Sequence, residues 1–239
     1  MKAPVSDRNN FVWLLIALVM LLFTDALFSQ FEYLEGQRVV NISLMVTIII
    51  AVWAVDYGDG NKLYGLKIAM SVITVGLMVG DSILEDNRLA LFQLASSFLF
   101  LTFTLHLCWR QVIFSGVVDG NKIVGAICIY MLIGLIWAFA YLIVEQLFPG
   151  SFKGLGETVP WQFNLEPLIY YSMVTMTTLG YGDITPQMPL ARFLAFMEAI
   201  TGVFYTTILV ASLIGMRLAQ HNEKLIGQVL DENNQQRED

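Results

Sequence analysis

Six apolar runs set the first constraint on this chain: 11–29, 39–55, 63–84, 89–109, 123–147 and 190–216. Each approaches the roughly 20 residues that cross a hydrocarbon core. No water reaches a backbone at that depth, so each run must close its own hydrogen bonds as a helix. The sequence therefore predicts an all-α membrane protein with six transmembrane helices. Composition agrees, with 56% apolar and only 14% charged residues, where a soluble domain carries about a quarter. A net charge of −7 and the lack of a basic cluster exclude a nucleic-acid surface. The first run is too long for the apolar core of a signal peptide and reads as a retained span. Cys108 and Cys128 lie inside apolar runs and read as small buried hydrophobes, with no neighbours at zinc-ligand spacing.

Basic residues orient the spans. With the N-terminus in the cytoplasm, nine fall inside: Lys2, Arg8, Lys62, Lys67, Arg110, Lys122, Arg217, Lys224 and Arg237. Four fall outside: Arg38, Arg88, Lys153 and Arg192. Both termini are then cytoplasmic, and the long connection between runs five and six faces out. Its first part, FPGSFKGLGETVPWQF, reads as an irregular outer loop. In the next part, NLEPLIYYSMVTMTT, Asn164 suits an N-cap, Glu166 a first turn and Pro167 the first helical position. A helix over 166–177 is too short to cross. It reads as a half-span that enters and returns, and such a segment must be buried in protein or line water.

The half-span ends in TMTTLGYGDITP, from Thr175 to Pro186. Irregular backbone at membrane depth leaves carbonyls to be satisfied. Successive carbonyls in a strand alternate sides. Aiming them one way requires alternate residues in left-handed conformation, which glycine adopts without steric cost. Gly180 and Gly182 have that spacing. The side chains of Leu179 and Tyr181 are then expected to point away from the row, into protein. The carbonyl end of the preceding helix would favour a cation beneath it.

The segment TTLGYGD resembles the potassium-channel selectivity-filter signature, with Leu179 where valine is usual. The chain as a whole resembles six-span tetrameric cation channels without an arginine-rich fourth span. That resemblance implies a peripheral four-helix domain over 1–110 and a cytoplasmic linker over 111–122. A pore domain over 123–216 follows, with pore helix 166–177 and filter 178–183, and then a tail over 217–239. It implies that carbonyls of Thr178, Leu179, Gly180 and Tyr181 bind K+, that the Thr178 hydroxyl adds the innermost ring, and that Gly182 supplies the second permissive turn. Asp183 would sit at the mouth, supported by Tyr170, Tyr171, Thr175 and Thr177. Tyr170 and Tyr171 would pack around Tyr181, with Tyr170 bonded to Asp183. Val174 stands where some relatives have a glutamate paired to the mouth acid. The resemblance further implies a homotetramer around a central pore in the cell membrane, with K+ and lipids as partners. It implies no cofactor other than the permeant ion, and no enzyme activity.

Gly202 is either a hinge of the last helix or a close-packing position. Val203, Thr206, Val210 and Ile214 follow on one face and are candidates for the cavity and gate. Run four carries no basic residue at every third position; Arg88 and Arg110 only bracket it. Steep voltage gating by that span is therefore not expected. Asp25 and Asp81 read as a structural cluster with Arg88 or as acids snorkelling to water, with a proton or ligand site as the alternative. Asp56, Lys62, Lys67 and Arg110 read as a solvated or paired inner rim, and His106 and His221 as polar surface. Glu145 and Glu198 read as held by hydrogen bonds behind the pore. In the tail, Leu218, Asn222, Leu225 and Val229 are spaced for a four-stranded bundle, with a frayed tail as the alternative. A weakly selective cation channel, or a carrier or enzyme using the intramembrane acids, are the competing functions.

Overall fold

The structure, a computed structural model, describes residues 10–28, 34–54, 61–84, 87–114, 120–155 and 161–238. These residues form an all-α fold whose helices are α1 (Asn10–Phe28), α2 (Leu34–Ala54), α3 (Asn61–Leu84), α4 (Asn87–Phe114), α5 (Gly120–Leu147), α6 (Leu165–Met176) and α7 (Pro189–Glu238). Among the described residues, α1, α4, α5 and α7 contain a stretch long and apolar enough to cross a bilayer. The chain is thus a multi-pass membrane protein. The other two expected spans are less clean. Among the residues whose side chains are described, the apolar stretch of α2 covers Ile42–Val52. Lys62, Lys67 and Asp81 interrupt α3.

Two-sided apolarity marks the membrane helices. In α1, Phe11, Leu14, Leu18 and Leu21 recur at spacings of three and four and are buried. The opposite face carries exposed Trp13, Met20, Phe23 and Leu27. A helix that is apolar on both its packed and its open face suits a lipid surround. Helix α1 packs on α2 and α5, α3 on α2 and α4, and α4 on α5. Leu132, Leu135, Ala138 and Phe139 of α5 form the centre of the core. Polar ties reinforce the packing. Thr74 and Ser96 join α3 to α4 through hydroxyls 2.6 Å apart. Lys67, only 1% exposed, donates to the Val52 carbonyl at 2.8 Å. Lys67 is therefore not a solvated rim residue: its stem crosses the α2–α3 seam and its ammonium caps the backbone near the end of α2.

Helix α6 lies against α5 and α7. Its 12 residues span about 18 Å, short of the roughly 30 Å core. Helix α7 runs for 50 residues, about 75 Å, so the tail continues the last helix. Cys108 and Cys128 are both free and buried. Asp56, His221 and the linker residues 115–119 lie outside the described structure or side chains, as do the side chains of Lys62, Val210, Ile214, Leu225 and Val229.

Candidate functional site

The irregular segment after α6 is built by the helix itself. Its start differs from the sequence expectation. Asn164 has helical φ −90° and ψ −4° and makes no capping hydrogen bond. It ends a 3-10 turn, Trp161–Asn164, that feeds straight into α6. Pro167 is consequently the third helical residue, which still costs nothing because the first four N–H groups have no partner within the helix.

At the other end the chain turns back on α6. The Thr177 amide donates to the Met173 carbonyl at 3.1 Å, and Thr178 to Thr175 at 3.0 Å. The Leu179 and Gly180 amides both reach the Val174 carbonyl, at 3.0 and 3.4 Å. These bonds consume the free carbonyls at the helix end. The backbone then alternates as expected. Gly180 has φ 55° and Gly182 φ 82°, and Thr178, two residues earlier, also has a positive φ of 61°. Sequence reasoning found the two glycines and missed Thr178. A β-branched residue rarely adopts this conformation, and holding it costs on the order of 1–3 kcal/mol. Among the described residues no hydrogen bond reaches the carbonyls from Thr178 to Tyr181. Exposed carbonyl oxygens without protein donors can accept from water or coordinate a cation.

The side chains do not all go where they were expected. Leu179 is 59% and Tyr181 67% exposed in the single chain, so neither is buried by its own subunit. Tyr171 does not surround Tyr181 but packs edge-on against Tyr141 and Phe152, with ring centroids 5.3 and 5.5 Å apart. Tyr170 does face Asp183. Its hydroxyl, helped by the Ile184 amide 3.0 Å from Oδ1, holds the Asp183 carboxyl below the usual carboxylate range. The Thr177 hydroxyl turns back to the Met173 carbonyl at 2.7 Å, and Thr175 contributes the carbonyl that receives Thr178.

A depressed carboxyl stays charged as pH falls through the ordinary aspartate range and is neutralised only below it. Tyr170→Phe removes the leading cause of the depression. Any acid block of transport through this mouth is expected to begin at higher pH in Y170F than in the wild type, as measured by flux against external pH.

The exit is pinned to the loop that follows α5, a feature invisible in the sequence. Strands β1 (Phe152–Lys153) and β2 (Thr185–Pro186) pair antiparallel, and the Gln187 amide donates to the Ser151 carbonyl at 2.7 Å. Glu145 caps the loop, accepting from the Gly150 and Phe152 amides at 2.7 and 3.1 Å. Gly154, at φ 98°, lies so close to this exit that a Cβ there would sit 2.3 Å from the Asp183 carbonyl oxygen.

Behind α6, Glu198 accepts from Tyr141 and meets the Ser172 hydroxyl. Glu145 and Glu198 are thus both held by hydrogen bonds. Asp25 and Asp81 are buried, not snorkelling. Asp81 accepts from Trp161 Nε1 at 3.2 Å and Gln162 Nε2 at 3.1 Å, which ties α3 to the turn before α6. Asp25 Oδ2 has no partner among the described residues. Gly202 lies in unbroken helix. A Cβ there would meet the Met176 carbonyl oxygen at 2.4 Å, so this glycine lets α7 touch the end of α6. Val203 and Thr206 are exposed, with Thr206 bonded back to the Gly202 and Val203 carbonyls.

Residues 126–217 match a protein-family model described as an ion channel. The chain is 27% identical over 198 residues to a voltage-gated potassium channel of Aeropyrum pernix, covering 77% of this chain and 63% of that one. It is 30% identical over 96 residues to a two pore potassium channel c of Oryza sativa, over 38% of this chain and 20% of the relative. It is 31% identical over 96 residues to the inward rectifier potassium channel Kirbac3.1 of Paramagnetospirillum magnetotacticum, over 38% of this chain and 28% of the relative. The matched region spans less than two thirds of the length of each of these relatives. No solved structure matches the chain.

Proposed function

We propose that this chain, related to ion channels over residues 126–217, forms a passive potassium-selective pore. The observation that carries the reading is the alternation of positive φ at Thr178, Gly180 and Gly182, beside a row of carbonyls without protein partners. Carbonyls of Thr178, Leu179, Gly180 and Tyr181 would replace the water around a dehydrated K+, and the Thr178 hydroxyl would add the innermost ring. One chain supplies one row, so a coordinating ring needs several copies; we read the assembly as a homotetramer. Support comes from Leu179 and Tyr181, which one subunit leaves open, and from the exposed Phe196, Ile200, Val203 and Phe204 of α7. In this reading the chain crosses the membrane six times with both termini inside, 1–110 is a peripheral four-helix domain, and α6 is a re-entrant pore helix.

Helix α4 offers no ladder of charges for the membrane field to move. Opening is then not steeply voltage-dependent through that helix. Purified protein in vesicles is expected to pass K+ down its gradient with no coupled ion. With mixed K+ and Na+, the reversal potential is expected to follow the K+ gradient. A reversal potential midway between the two would instead identify a weakly selective cation pore, and no downhill flux would reject a pore altogether.

A further inference from the structure

Three helices meet at one carboxyl group whose protons can be counted. Glu198 of α7, Tyr141 of α5 and Ser172 of α6 are all fully buried. Tyr141 lies in hydrogen-bond contact with Glu198 Oε2, and Ser172 Oγ with Glu198 Oε1. Ser172 Oγ is also 2.7 Å from the Gly134 carbonyl oxygen of α5. Each of these oxygen–oxygen contacts needs one proton. A carbonyl contributes none, and tyrosine and serine hydroxyls contribute one each. An ionised glutamate would add none, leaving one contact as two facing lone pairs in a site closed to water. Among the described residues, the other ionisable groups facing Glu198 are Tyr130 of α5 and Tyr171 of α6, and neither carries a positive charge that would compensate a buried carboxylate.

We propose that Glu198 is held as the neutral acid and is a positioning residue for the helix that carries the carbonyl row. Tyr141 donates to Oε2. The acid proton on Oε1 is donated to Ser172 Oγ, and Ser172 donates to the Gly134 carbonyl. All three protons are placed, and every contact has one donor and one acceptor. The chain of bonds locks α6 between α5 and α7 one turn before Met176. The inference concerns how this helix is held and does not depend on which ion passes.

Glutamine reproduces this pattern, accepting from Tyr141 through its oxygen and donating to Ser172 through its amide. The test is infrared difference spectroscopy of the full-length protein at neutral pH, wild type against E198Q, with thermal melting of E198Q and E198A. The expected result is that the wild type carries a protonated-carboxyl C=O band missing from E198Q. E198Q melts where the wild type does, and E198A melts lower. Loss of a carboxylate band in place of the C=O band overturns the proposal. So does an E198Q protein that fails to fold or melts with E198A.

Discussion

Gly180→Val is expected to reduce selective potassium flux to the level of empty vesicles, measured by reconstitution beside the wild type. The side chain has room: a Cβ at Gly180 meets nothing within 4 Å in the chain. The penalty is in the backbone. At φ 55° a residue branched at Cβ is a genuine outlier. A left-handed residue costs about 1–2 kcal/mol, repeated in every subunit of a symmetric assembly. Thr178 already holds one such conformation, and its amide bond to Thr175 helps to fix it there. A second strained residue two positions on has no such support beyond the long 3.4 Å contact to Val174. Relaxing to negative φ would turn carbonyls of the row away from their common side. The conservative control is Leu179→Val, which leaves every main-chain oxygen in place and is expected to retain selective flux. Wild-type selectivity in G180V would remove the basis for the carbonyl-row reading.

Gly202→Ala is expected to lower the melting temperature of the purified protein and to weaken flux, with Gly202→Val more severe. The atoms a Cβ would meet are the carbonyl oxygen, Cα and carbonyl carbon of Met176, at 2.4, 3.0 and 3.1 Å. All three are backbone, so no rotamer change relieves the contact. Overpacking of this kind costs about 1–3 kcal/mol per chain. It also pushes on the last residue of α6, directly before the turn into Thr178. A pure hinge role makes a different forecast: alanine would leave the melting temperature alone and change only the fraction of time the pore is open. Melting and single-channel recording on one preparation therefore separate packing from bending.

The parts of this protein that could be read from its sequence are those governed by local rules. The helices follow from apolar runs, and α6 from the residues at its start, although Asn164 in the cap position ends a 3-10 turn and makes no side-chain capping bond. The spacing of Gly180 and Gly182 announced alternating backbone because glycine is the residue that enters that conformation freely. Thr178 gave no such sign: its positive φ goes with its own amide bond to Thr175 and with the bonds of the next two amides, Leu179 and Gly180, to Val174, and it contradicts the residue's own preference. Contacts between distant segments were not legible. Nothing in the order of residues states that Asp81 receives Trp161 and Gln162, 80 and 81 positions away, or that Tyr171 turns toward Tyr141. Lys67 could be read only as solvated or paired, for a related reason. Charge near a helix end usually marks a wet boundary, and only the α2 backbone beside it shows why this lysine is buried.

The pairing of Phe152–Lys153 with Thr185–Pro186 has a practical corollary for spectroscopy. Lys153 is exposed, yet its strand is bonded to residues that follow Asp183 by only a few positions. A dye or spin label placed at Lys153 would ride with the end of the carbonyl row and not with the rest of the protein surface. In an assembly with several copies, label-to-label separations would then read out widening or narrowing of that end without touching any oxygen an ion would use.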